Sequence, residues 1–190
     1  MIRVQHPEED SENYLNRHHD NRSAMRRLLM VGLLMLCFAA AVAHASPVEF
    51  LLNQKAPEFT RRDLSGNNLD LANLRGKVVL LNFWATWCAP CLVEIPTFNQ
   101  WQRQYGTQGL QVIGISMDDD LASALRLTEK LRLIYPVAMG DEALGQLYGG
   151  VLGLPLTYLI DKHGIVRARF QGETDPKTIE KQMQELLAQP

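Results

Sequence analysis

A mixed-sheet α/β domain is predicted by three features of the chain. Val78-Val79-Leu80-Leu81-Asn82-Phe83 is a nearly continuous apolar run, helical segments separate the early strands, and two late strands are joined by a tight turn. The elements follow in order. Residues 59–64 and 69–71 flank Ser65-Gly66-Asn67-Asn68, which reads as a β-hairpin with a Gly/Asn turn. Arg75-Gly76-Lys77 punctuates the chain before the main strand over 78–83, whose unbroken apolarity suits burial on both faces.

A helix is expected from 88 to about 105, with Leu92, Ile95, Phe98 and Gln102 at helical spacing. Pro96 inside it should remove one backbone bond and bend it, and Gly106 and Gly109 end it. Residues 110–116 alternate and are rich in β-branched side chains, giving a second central strand. Asp118-Asp119-Asp120 then reads as the cap of a helix over 121–133; a calcium loop would require a glycine and a distal glutamate that are missing here. A short strand over 135–138, a short helix over 141–148 and a glycine-rich loop over 149–155 follow. Strands over 156–160 and 165–171 form the late hairpin, and a helix over 176–187 closes the chain with Ile179, Met183, Leu186 and Leu187 on one face.

With 190 residues, 46% of them hydrophobic, the chain can build one well-buried domain. A net charge of −2 leaves no basic footprint for nucleic acid, so partners are expected among proteins or small molecules. The apolar stretch over 28–43 follows Arg26-Arg27 and ends in Ala43-His44-Ala45, the charged start, apolar core and small-residue end of a secretory signal. Cleavage is expected before Ser46, leaving a periplasmic domain. At about 16 residues the run is short of the ~20 a spanning helix requires, and a retained inner-membrane anchor is the alternative. The polar stretch over 1–24, with His18-His19, reads as a disordered extension or a mis-assigned start, with Met25 the favoured first residue. The division is therefore 1–24 extension, 25–45 signal and 46–190 domain. Cys37 leaves with the signal, so only two of the chain's three cysteines remain.

Those two lie in Trp87-Cys88-Ala89-Pro90-Cys91, at the turn from the main strand into the first helix. Unpaired N–H groups and partial positive charge at a helix start stabilise a thiolate, making Cys88 the expected nucleophile. Cys91, three residues on, returns to nearly the same face and is placed to resolve a mixed disulfide, while Pro90 suits the first turn. Other readings compete with redox exchange. Structural zinc would require a second ligand pair, and a c-type haem site would require histidine where Leu92 stands. A purely structural staple would close too short a loop to stabilise much. No metal site and no cofactor are expected.

Five elements form a set: Ala56-Pro57-Glu58-Phe59, Leu74-Arg75-Gly76-Lys77-Val78-Val79-Leu80, the run Asn82 to Cys91, Glu94 with Pro96, and Gly153-Leu154-Pro155-Leu156-Thr157-Tyr158-Leu159-Ile160-Asp161. On these the sequence, from about Ala56 to the C-terminus, resembles the thioredoxin-fold thiol-disulfide oxidoreductases of the TlpA/ResA-like branch, with a redoxin (AhpC/TSA-type) domain. It implies a thioredoxin fold, a mixed central sheet flanked by helices, here with an extra N-terminal hairpin. It also implies a cis Leu154–Pro155 peptide facing the two cysteines, where a client chain docks by its backbone. Trp87, Leu154 and Pro155 would be substrate contacts. Glu94 would exchange the proton of Cys91, in place of the buried Asp that ordinary thioredoxins carry where Asn82 stands.

Implied clients are disulfide-bearing proteins, in such families apocytochrome c and copper-site assembly proteins, with a membrane-bound thiol donor restoring the dithiol. Two departures bear on the client: the stretch 148–155 is one residue longer than is usual, and Leu156 replaces threonine after the proline. A thiol peroxidase is a second enzymatic reading, but Ala85 stands where such enzymes place Thr or Ser. A non-catalytic binding module using the groove beside Pro155 is the third.

Overall fold

The computed structural model describes residues 51–190. The expected extension over 1–24, the signal over 25–45 and Cys37 lie outside the described residues. Strands β1 (Thr60–Arg62) and β2 (Asn68–Asp70) pair antiparallel, Arg61 opposite Leu69, as the lead-in hairpin. The Asp63 carboxylate closes its turn by accepting from the backbone N–H groups of Ser65 at 2.9 Å and Asn67 at 2.8 Å, while Gly66 supplies the positive φ of +86°.

The main sheet has five strands in the order β5-β4-β3-β6-β7. Its centre is β3 (Val78–Trp84), buried at every residue, which is why its sequence does not alternate. Parallel to it runs β4 (Leu110–Ser116), with Val78 opposite Leu110 and Trp84 opposite Ser116. Antiparallel on the other side runs β6 (Leu156–Ile160), with Phe83 opposite Leu156. β5 (Val137–Met139) extends the parallel side and β7 (Val166–Gln171) the antiparallel one.

The two sheet faces build two cores. Val78, Leu80 and Trp84 pack with Ile95, Phe98 and Trp101 of α1 (Ala89–Tyr105), Ala124 of α2 (Leu121–Leu131), and Ile179, Met183 and Leu186 of α4 (Pro176–Leu187). Val79, Leu81 and Phe83 face the other way, onto Leu144 of α3 (Glu142–Leu147), Tyr148, and Phe59 and Leu69 around the hairpin. Tyr148 is fully buried against Phe83 and Tyr158. Its hydroxyl donates to Pro57 O at 2.8 Å, and its own carbonyl accepts from the Tyr158 hydroxyl at 2.6 Å. Those bonds fix the residue from which the glycine-rich loop departs.

Three local expectations are adjusted. α2 ends at Leu131 rather than 133, because Arg132 adopts a left-handed φ of +50° and the following Leu133 N–H bonds back to Thr128 O at 3.0 Å. The short strand is Val137–Met139, shifted from 135–138, because Tyr135 turns its ring into the first core. In the acidic triplet only Asp120 caps α2, accepting from Ala122 N at 3.1 Å and Ser123 N at 3.0 Å; Asp118 is buried and does something else. Pro96 sits exposed within α1, which continues through it to Tyr105.

Candidate active site

β3 ends at Trp84, and the chain turns through Ala85, Thr86 and Trp87 into α1. That turn is clamped to the end of the neighbouring strand. Trp84 O accepts from Met117 N at 2.7 Å. The Asp118 carboxylate accepts from Thr86 N at 3.0 Å, from the Thr86 hydroxyl at 2.6 Å and from the Ser116 hydroxyl at 2.8 Å. A buried carboxylate is tolerable only when so satisfied. Its partner Thr86 lies 32 residues away in sequence, and nothing local to the acidic triplet distinguishes Asp118 from a cap.

Cys88 is the N-cap of α1, in extended backbone, and its Sγ accepts from Cys91 N at 3.3 Å. The two cysteines are joined as a disulfide with Cα atoms 5.3 Å apart. Both are nearly buried, Cys91 the more so, whereas Trp87 is 71% exposed beside them. A sulfur at this position lies against the free N–H groups and positive end of a 17-residue helix, an arrangement that favours a thiolate once the bond is reduced.

Glu94 lies one turn beyond Cys91 on the same helix, and it is only 5% exposed. Burial pushes its carboxyl up to about 7; the Thr174 N–H, 3.4 Å from Oε1, opposes this, and the charge of Glu173 adds to it. Its other oxygen, Oε2, has no hydrogen-bond partner. Asn82 is buried on β3 opposite Thr157 of β6, donating through Nδ2 to the Thr157 hydroxyl at 2.9 Å. Strand alternation puts Asn82 on the same face as Leu80 and Trp84, the face that packs against Cys91. The strand position that could have held a second acid thus holds a neutral amide.

The Leu154–Pro155 peptide is cis. Because Phe83 pairs with Leu156, Pro155 is level with the C-terminal end of β3, the end from which the cysteine turn departs. Pro155 is buried, and half-buried Leu154 packs against the core that contains Cys88 and Cys91. Pro155 O accepts from Gly172 N at 2.8 Å, tying the loop to the turn after β7. Cys88, Cys91, Glu94, Trp87, Leu154 and Pro155 therefore converge at one end of the sheet. Asp118, Thr86 and Thr174 join them without having been anticipated, since each acts through contacts distant in sequence.

Comparison with known proteins adds a family. The AhpC/TSA family matches residues 52–169. The thiol-disulfide oxidoreductase ResA of Geobacillus kaustophilus (strain HTA426) is 31% identical over 170 residues, covering 85% of this chain and 97% of that protein. The protein of the same name from Bacillus thuringiensis (strain Al Hakam) is 32% identical over 163 residues, covering 81% and 93%. Among solved structures, a thiol:disulfide interchange protein of the thioredoxin family from Chlorobium tepidum TLS superposes with a TM-score of 0.66 at 29% identity, covering 70% of this chain and 96% of that one.

Proposed function

Since the chain belongs to the AhpC/TSA family, in its TlpA/ResA-like thioredoxin-fold branch, we propose that it reduces disulfides of client proteins through the Cys88/Cys91 dithiol, outside the cytoplasm. It is a thiol-disulfide oxidoreductase. The observation that carries the reading is a disulfide at the N-terminus of α1 with the buried carboxyl of Glu94 one turn beyond Cys91.

In the reductive direction the Cys88 thiolate attacks one sulfur of the client disulfide, forming a mixed disulfide and releasing a client thiolate that takes up a proton. Cys91 then gives its proton to the Glu94 carboxylate and attacks Cys88 Sγ. The Cys88–client bond breaks, the second client sulfur leaves as a thiolate that takes up a proton, and the enzyme is left as the Cys88–Cys91 disulfide. Two electrons have passed to the client, and an external dithiol returns them. A group holding its proton near pH 7 can both accept and release it during such a cycle. Leu154 and Pro155 supply the docking edge, and exposed Trp87 a contact beside the nucleophile.

The peroxidase reading is the weaker one, because Ala85 offers no hydroxyl where such enzymes place one. Export is supported by Arg26-Arg27, the apolar run and the Ala43-His44-Ala45 end, and by a domain that keeps only an exchangeable cysteine pair. Among the described residues, no helix is long and apolar enough to cross a membrane.

The test is catalysed reduction of insulin disulfides, with trapping by single-cysteine variants. Cys91→Ser is expected to accumulate a mixed disulfide with client on non-reducing gels, and Cys88→Ser to form none and lose turnover. Trapping by Cys88→Ser instead would reverse the two roles, and turnover surviving in that variant would remove Cys88 from the chemistry. A reduction potential more oxidising than that of the client would reverse the direction of electron flow.

A further inference from the structure

The loop Gly149-Gly150-Val151-Leu152-Gly153-Leu154-Pro155 carries no polar side chain, although it reaches the surface at the same end of the sheet as the cysteine turn. Leu152 is its one exposed residue, and at 86% it is the most exposed large apolar side chain among the described residues. The loop is pinned on both sides of it. Ahead of Leu152, the Tyr148 carbonyl is held by the Tyr158 hydroxyl, and Gly150 donates its N–H to Gly145 O at 2.9 Å. Val151 turns inward, with Cγ2 3.4 Å from where a Cβ on Gly145 would stand. Beyond Leu152, half-buried Leu154 packs against both cores, and buried Pro155 has its carbonyl held by Gly172. The Leu152 N–H donates to Gly150 O at 3.1 Å, so its backbone is fixed while its side chain faces water.

We infer that Leu152 is a specificity-determining contact of the client site, one that selects disulfides whose cysteine is flanked by large apolar side chains. This names the client class of the disulfide-reductase reading and rests on it. A lone exposed leucine is ordinary on a protein surface; the neighbours of Leu152 set it apart. It stands two residues, at most ~7 Å of chain, from Leu154, which packs against the core containing Cys88 and Cys91. On its other side, the Gly145 position that Val151 approaches also lies 3.9 Å from Met117 Cε, and the Met117 N–H bonds Trp84 O at the start of the cysteine turn. That turn exposes Trp87 to 71%. No charged residue occurs from Trp84 to Val93 or from Gly149 to Ile160; exposed charges begin on the neighbouring turns, at Asp119 and Glu173. An extended client docked by its backbone at Leu154 covers ~7 Å with two residues. An apolar client side chain placed there removes itself and Leu152 from water, whereas a polar one is desolvated with no partner.

The experiment compares two disulfide-looped peptides that are identical except for Leu or Gln on either side of each cysteine. Each is mixed with the pre-reduced full chain, as wild type, Leu152→Gln and Leu152→Met, and the second-order rate constant for oxidation of the protein is measured. Rates are normalised to those of the same peptides with dithiothreitol. In the wild type the Leu peptide is expected to react about ten-fold faster than the Gln peptide, as partial burial of one leucine against another dictates. In Leu152→Gln that ratio should fall to about one, and in Leu152→Met, which stays apolar, most of it should return. A wild-type ratio near one overturns the inference, and so does a ratio that survives in Leu152→Gln. An equal slowing of both peptides in Leu152→Gln would also overturn it, because a displaced loop hinders every client alike. If neither peptide oxidises the reduced protein, the reductase reading fails. Selection by Leu152 is then decided by NMR shift titration with the same peptides carrying Ser for Cys: about ten-fold tighter binding of the Leu peptide, lost in Leu152→Gln, upholds it, and equal affinities overturn it.

Discussion

Replacing Glu94 by glutamine is expected to make the oxidised protein more stable at pH 8 than the wild type, and the gain is calculable from the burial of one carboxyl. The group rises from an ordinary 4.5 to about 7 on folding. At about 1.36 kcal/mol per pH unit, this corresponds to about 3 kcal/mol of differential stability between its two protonation states. The sign follows from proton counts. Between pH 4.5 and 7 the folded protein keeps the proton while the unfolded chain has lost it, so the unfolded state binds fewer protons and stability falls as pH rises. Below 4.5 both states are protonated and there is no loss; above 7 the folded protein holds a buried, singly supported carboxylate and the loss is complete. Glutamine has the same shape and never ionises. Urea unfolding of wild type and Glu94→Gln from pH 4.5 to 8, with the disulfide intact, should give curves whose difference grows by about 3 kcal/mol toward alkaline pH at unchanged m-value. A difference that is flat across that range would refute the burial argument. Exchange should suffer where stability gains, with resolution by Cys91 slowed by about 10²-fold or more, the usual contribution of a positioned proton acceptor.

Two further substitutions test the frame that holds the motif. Asp118→Ala leaves the Thr86 amide, the Thr86 hydroxyl and the Ser116 hydroxyl without their acceptor, and should destabilise by about 2–4 kcal/mol in urea unfolding and slow exchange by loosening the turn before Cys88; a change under ~0.5 kcal/mol would show that the clamp is unimportant. Gly114→Ala would bring a Cβ to 2.8 Å from Trp84 Nε1 and 3.1 Å from Val137 Cγ2, and should cost about 1–3 kcal/mol by overpacking beneath the end of β3. A neutral or stabilising result there would mean that the Trp84 ring has room to move.

What could be read from the sequence was whatever the chain encodes locally. The β3 run, the spacing of Ile95 and Phe98, the Gly66 turn and the face of α4 each depend on residues within a few positions of one another, and each appears as expected. The Cys88/Cys91 pair belongs to this class, because a cap and a residue three positions on are neighbours in any helix. Asp118 shows the opposite case. Its local pattern, an acid ahead of a helix, is satisfied by Asp120 alone, and only the parallel pairing of Trp84 with Ser116 brings Asp118 beneath Thr86. The end of α2 was hidden for a different reason: Arg132 takes the left-handed conformation usually left to glycine, and Asn99 of α1 secures that turn by donating to Arg132 O at 3.1 Å and accepting from Ile134 N at 2.9 Å.

The placement of Glu94 joins these two classes. That it follows Cys91 by three residues is local, and it puts the carboxyl on the same side of α1 as the sulfur. That it is an acid able to hold a proton near neutrality is not local, because this depends on the sheet and on the β7–α4 turn closing over it. An acid carried on β3 would sit at a register position flanked by Gly114 and Thr157, fixed in the sheet. Carried on α1, it lies on the helix that presents Cys88 and Cys91, and the Thr174 N–H of the β7–α4 turn reaches its Oε1. The neutral Asn82, bound through its amide to Thr157, is consistent with that division: the strand supplies shape and hydrogen bonding, and the helix supplies the carboxyl one turn from Cys91.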